Sequence, residues 1–391
     1  VGLGWGSESV DETQVSAKTP EARRKRRRRL AGLGLLALLW IALLNAPVGA
    51  LREAQPGHNS RPLVVDKELS IARRFAPYVY HSIHPTGGRQ DIPTRVDFDG
   101  DLVGANSWEN MPNFELPPTV YYAVLETETH TFIAYHLFHP RDWSYLRIGI
   151  NLTHENDGEN FAVVVDKARS EPVLLFTQAH YFGRAYANSS AGFGDGKEHL
   201  RGPLLLLDEQ GRPSPKGRHV GVYVEEMGHG IYGAKDPSVD LTVDAQGGAR
   251  FGTAGMTLRP ARAGDVVAEP RGPLPGVTAP YQLESTSAKL WPLLAAGRLT
   301  GEGRLLDGAV SLDRPFIKIE LPRFYEADRF SGLFGSDRGI APFALCFSFW
   351  SGQIGALFFD PAGRYPELLK VPQPWSTKYL RYPFKSALRG K

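Results

Sequence analysis

Residues 119–139 read TVYYAVLETETHTFIAYHLFH. Two runs rich in Val, Ile, Tyr and Phe, 119–126 and 131–139, flank a short polar break, which is the composition of neighbouring strands. The texture continues outward. Segments 146–153, 161–166, 173–179 and 219–225 are short, apolar and separated by turn residues. The 42 glycines and 30 prolines favour turns over long helices. The pattern predicts a mainly β fold, an antiparallel β-sandwich with peripheral helices and long loops. A short helix is expected at 67–75, stopped by Pro77, and another at 285–296, broken near Pro292. Residues 84–118 read as loop, and 234–280 as an insertion with a few short strands. Apolar segments 314–321 and 343–359 are expected to rejoin the main core.

The N-terminus has a different character. Seven consecutive cations, Arg23–Arg29, precede the uncharged apolar stretch Leu30–Leu44, and Val48-Gly49-Ala50 resembles a signal-peptidase site. Residues 1–50 are therefore expected to be a basic leader with a signal peptide or membrane anchor. Leu30 to Ala50 could just cross a bilayer, with the basic side held in the cytoplasm. Residues 51–64 form a linker, and 65–391 a single exported, extracytoplasmic domain. Of 45 basic and 42 acidic residues, the first fifty positions hold eight and four, leaving 37 and 38. A folded part so nearly neutral has no basic surface for nucleic acid. The lone cysteine, Cys346, excludes an intramolecular disulfide and sits in an apolar run as a core residue.

The chemistry concentrates between Tyr135 and Tyr181. Asp142 is followed by Thr153-His154-Glu155-Asn156-Asp157-Gly158-Glu159 and then His180. Asp157 and Glu159 could share a strand face, but His154 would need a bend to join them, and Asn156-Asp157-Gly158 supplies turn-forming residues. Three carboxylates and an imidazole suit a hard divalent cation such as Mg²⁺, Ca²⁺ or Mn²⁺. A hairpin turn edged by solvated acids accounts for the same residues. Position 158 is Gly rather than His, so no zinc-protease His-Glu-x-x-His motif is present. Asp97-Phe98-Asp99-Gly100-Asp101 resembles a calcium loop without its full ligand sequence, and no Gly-x-Ser-x-Gly nucleophile elbow occurs.

The stretch Thr153–Glu159 resembles the Gly-His-Arg-His-Asp-Trp-Glu signature of the necrosis- and ethylene-inducing-like protein family and a related vacuolar-protein-sorting-factor group. Leu137-Phe138-His139-Pro140-Arg141-Asp142 is similar to the family's Tyr-Phe-Pro-Lys-Asp. Gln178-Ala179-His180 and Tyr223–Gly230 resemble two further segments. The resemblance covers about residues 65–235 and implies metal ligands at Asp142, His154, Asp157 and Glu159, with His180 and His229 beside them. Gly, Arg, the second His and Trp of the signature are Thr153, Glu155, Asn156 and Gly158 here. It implies an extracytoplasmic, divalent-metal-dependent binding protein that recognises glycan or glycolipid headgroups in a surface cleft and acts at membranes. A hydrolase using metal-activated water and a structural envelope protein with a structural cation are the rival readings.

Overall fold

The computed structural model describes residues 65–142 (except 86), 145–146, 150–151, 154–179, 182–295, 302–303, 325–326 and 356–384. All belong to the unit Asn45–Lys391. Among them no helix is long and apolar enough to cross a membrane. The apolar stretch 30–50, Cys346, segment 314–321 and most of 343–359 lie outside the described residues.

The helix α1, Val65–Arg74, opens the described fold. Leu69 and Ala72 turn one face to the core, and Arg73 and Arg74 complement the carbonyl end of its dipole. Pro77 follows and the chain turns into strand β1, Tyr78–Ser82. Strands β2, Thr119–Thr127, and β3, His130–Asp142, pair antiparallel, as their composition predicts. The partner of β3 on its other side is β4, His154–Asp166, which is longer than the expected 161–166. Residues 145–146 and 150–151 form a small separate pair instead of a strand over 146–153. Strands β5, Glu171–Ala179, and β6, Phe182–Tyr186, extend the antiparallel meander.

Beyond β2 the sheet departs from the antiparallel expectation. Strands β7, His219–Val224, β8, Gly255–Pro260, and β9, Thr278–Ser285, complete its other half. The order across this half is β3-β2-β9-β8-β1-β7. The pairs β2–β9, β9–β8 and β1–β7 are parallel, and β8–β1 is antiparallel. Among the described residues thirteen strands make one large mixed sheet. The region expected as an insertion thus contributes β8 to the main sheet. The break expected near Pro292 falls at Leu290, between short helices Thr286–Lys289 and Trp291–Ala295, with Pro292 in the first turn of the second.

Helices, rather than a second sheet, cover the central strands. Tyr135 on one face donates its hydroxyl to the Ala72 carbonyl of α1 at 3.0 Å. On the other face Phe132 and Phe176 pack on Tyr365 of a second helix, α2, Pro361–Leu368. All nine residues of β2 are buried, which is why its sequence is a continuous apolar run and not an alternation.

The sheet also curls. His81 on β1 and His139 on β3 belong to strands four places apart, which a flat sheet would hold about 19 Å apart at its usual spacing. Their Nε2 atoms are 3.2 Å apart. The curl brings the ends of distant strands face to face.

Candidate metal centre

Three histidines meet inside this curl. His81 is the penultimate residue of a strand whose five residues are all buried, and His139 lies near the end of β3. His229 comes from the turn that follows β7. One ring nitrogen from each lies within 4.8 Å of the others, so the three could hold a metal ion. All three are completely buried, as is Asp91, and Asp157 is 1% exposed.

Hydrogen bonds orient the rings. His81 Nδ1 is 2.7 Å from the Ser82 carbonyl, which only accepts, so that nitrogen carries the proton and Nε2 keeps its lone pair. His229 Nδ1 meets the Asp157 carboxylate at 2.5 Å. His229 Nε2 lies 3.2 Å from Asp91 Oδ1, whose other oxygen accepts from the His84 amide at 2.8 Å. The His139 ring stacks on His229 at 3.7 Å between centroids. Asp91 lies against the His229 ring and does not belong to the converging group, which is made of the three imidazoles. Asp157 would hold the His229 ring from behind, the arrangement that orients metal-bound imidazoles.

The electrostatics follow from burial and these contacts. Burial lowers His81 to about 4 and His139 well below the ordinary histidine range. Burial also disfavours the charged form of His229, but hydrogen bonds and charge from Asp157 and Asp91 outweigh it and raise the ring to about 10. Asp91 is opposed by burial yet held below its ordinary value by His229. Two neutral rings that retain lone pairs, beside buried carboxylates, are a donor set for a cation.

Asp157 sits opposite His139 across the β3–β4 ladder, and Glu159 opposite Leu137. Asp142 pairs in register with His154 farther along the same ladder. Asp142 is 5% exposed and Glu159 fully buried, so these carboxylates lie inside the protein and not in a surface cleft. The side chain of His154 and the whole of His180 lie outside the described residues. The chain does change course between His154 and Asp157, because Asn156 adopts a left-handed φ of 59°. His229, expected beside the ion, lies within the trio itself.

Sequence reasoning missed His81, Asp91 and the role of His139. His139 was legible in principle, since a hairpin joining 130–142 to 154–166 pairs it with Asp157. His81 and Asp91 carry no local signal. The aspartates at 97–101 form a turn: Asp99 and Asp101 accept from Asn110 and Asn106 side chains at 2.8 and 3.1 Å.

Fold and site together define a mainly β protein whose three buried, converging histidines could hold a cation. No family model matches the chain, and no curated protein matches it. Solved structures give partial likenesses to necrosis- and ethylene-inducing-like toxin folds. One is titled a toxin fold for microbial attack and plant defense, with 17% identity and a TM-score of 0.27, covering 47% of this chain and 76% of that one. NLPPya in complex with mannosamine gives 18% and 0.26, over 46% and 72%. The non-toxic HaNLP3 protein gives 16% and 0.27, over 49% and 76%.

Proposed function

We propose that the protein is an exported binding protein organised by one buried divalent ion, with a glycan or lipid headgroup as its ligand. The observation that carries the metal is the convergence of three buried imidazoles, with Nδ1 of His81 and of His229 engaged elsewhere and the His81 and His139 Nε2 atoms facing each other. Three imidazole donors suit zinc or a similar borderline ion better than the Mg²⁺, Ca²⁺ or Mn²⁺ expected from an oxygen-rich set. A hydrolytic ion keeps a position open to water and substrate. Complete burial of the trio and of Asp91 favours a structural ion. The ion would tie the 88–91 and 225–230 turns to the ends of β1, β3 and β4.

The binding role rests on the resemblance of Thr153–Glu159 to the family signature, and export on Arg23–Arg29 with the apolar stretch behind it. Metal analysis of the purified full chain tests the centre. About one equivalent of zinc or a comparable ion is expected, lost in His139→Ala and His229→Ala. A chelator is expected to lower the melting temperature by several degrees, restored by added Zn²⁺, since an ion bound only by the native state stabilises it. A chain without stoichiometric metal and indifferent to chelator refutes the centre. Sequencing the mature N-terminus is expected to give Leu51 if the leader is removed, and a full-length soluble cytosolic product refutes export.

A further inference from the structure

A second concavity lies at the opposite end of the β3–β4 ladder. His130 begins β3 and His139 lies nine residues on, about 30 Å along an extended strand. Around His130 the chain encloses about 780 Å³, between the turns at 128–130 and 166–169 and the segments 190–193 and 372–375. That volume suits a ligand of two or three sugar rings.

The floor is aromatic. Trp375 stands 4.5 Å from His130 and 6.0 Å from half-buried Phe193, measured between ring centroids. Burial lowers His130 to about 4, so its ring is uncharged near neutral pH. The charges at the mouth are already answered. Glu128 accepts from Lys378 at 2.7 Å, Arg169 donates to Asp166 at 3.0 Å, and Lys167 donates to the Thr127 carbonyl at 2.9 Å. An anionic ligand would find its cations engaged, and a cationic one its carboxylates engaged. A wholly apolar ligand would bury the mouth's polar groups against hydrocarbon, which is costly. Exposed Gln373, held between Pro372 and Pro374, offers an amide on a stiff segment. An apolar floor with a neutral, hydrogen-bonding rim matches a molecule with one C–H face and hydroxyls around its edge.

We propose that this cleft binds a neutral saccharide, packed against the half-buried Phe193 ring, which stands edge-on to buried Trp375, and hydrogen-bonded by Gln373. The inference deepens the glycan-binding reading, on which it rests, and separates the ligand site from the metal centre. The test is saturation-transfer NMR and tryptophan fluorescence on the full chain, with cellobiose, mannobiose and chitobiose as probes. Phe193→Ala and Gln373→Ala are each expected to weaken binding about fivefold, the scale of one aromatic or hydrogen-bond contact. Gln373→Ala, at an exposed position, should leave the melting temperature unchanged. Binding should survive chelation at temperatures where the protein stays folded. Binding that both variants leave intact overturns the cleft and preserves the glycan reading. Retention of only anionic oligosaccharides or acyl chains overturns the proposed chemistry. Absence of any saccharide binding defeats both the cleft and the reading beneath it.

Discussion

Asn156, Met227 and His229 adopt left-handed φ values of 59°, 68° and 51°, and all three adjoin the candidate metal centre. Residues with a Cβ avoid this region, so surrounding contacts must hold them there. Asn156 is held by its amide, which accepts from Ser107 Oγ at 3.1 Å and donates to the Gly104 carbonyl at 2.8 Å. Met227 is held through its backbone amide, which donates to Asp91 at 3.0 Å. Asn156→Ala removes both side-chain bonds and leaves a Cβ in the strained conformation. It is expected to cost about 2–3 kcal/mol in urea denaturation. Asn156→Gly loses the same bonds but relaxes the backbone, and is expected to cost about 1 kcal/mol less than the alanine variant. Equal losses would mean that the conformation itself is unstrained. The turn expected at Asn156-Asp157-Gly158 does not form: strand β4 runs through it, and of the three residues Asn156 alone has a positive φ.

At the level of the element, α1 is fastened by a buried acid. Glu68 accepts from the Val124 amide at 3.2 Å and from the Ser285 and Ser287 hydroxyls at 3.3 and 2.9 Å. The register explains the need: β9 pairs with β2 only from Thr119 to Tyr122, then turns into a helix. The carboxylate serves the Val124 amide that the departing strand no longer reaches. Burial raises Glu68 above its ordinary 4.5, and the three hydrogen bonds only partly oppose this. With the folded value above the unfolded one, the native state binds more protons in that interval. Its contribution is full below the unfolded value and is lost as pH rises through the folded value. Glu68→Gln is expected to flatten this part of the stability–pH curve, measured by melting from pH 4 to 7. Glu68→Ala is expected to cost about 1–3 kcal/mol at all of these values by orphaning the Val124 amide. An unchanged slope in the glutamine variant would show that Glu68 does not control it.

Across the whole molecule, one curled sheet carries chemistry at both ends, with the apolar core between them. Phe132, Ile133, Ala134 and Tyr135 at the middle of β3 are all buried, whatever happens at His130 or His139. Loss of the ion should therefore loosen its own surroundings before the core. Hydrogen exchange after chelation is expected to rise at the 88–91 and 225–230 turns and around 155–158, while amides 132–135 remain protected. Uniform loss of protection would instead mean that the ion supports the entire fold. Sites so far apart should also be additive: chelation and Phe193→Ala together should shift stability by the sum of their separate effects, within about 0.5 kcal/mol.

Strand runs such as 119–126 and 131–139, the helix stopped by Pro77, and the break near Pro292 were determined by the sequence itself. Each depends on preferences acting over a few residues: β-branched and aromatic side chains on a pleated surface, a missing amide, the clash of a proline ring. The same local reading singled out Asp157 as a ligand and His229 as its neighbour, because each stands in a distinctive polar stretch; in the structure the two are hydrogen-bonded to each other. Only the tertiary structure decided that helices cover the sheet, that the pairs β2–β9, β9–β8 and β1–β7 are parallel, and that it curls. Those outcomes depend on which distant strands become neighbours, and an apolar segment such as 255–260 fits a parallel or an antiparallel place equally well. The meeting of His81, Asp91, His139 and His229 is decided at that level too. Separate strands and turns supply the four residues, and only the curl closes the distance between them.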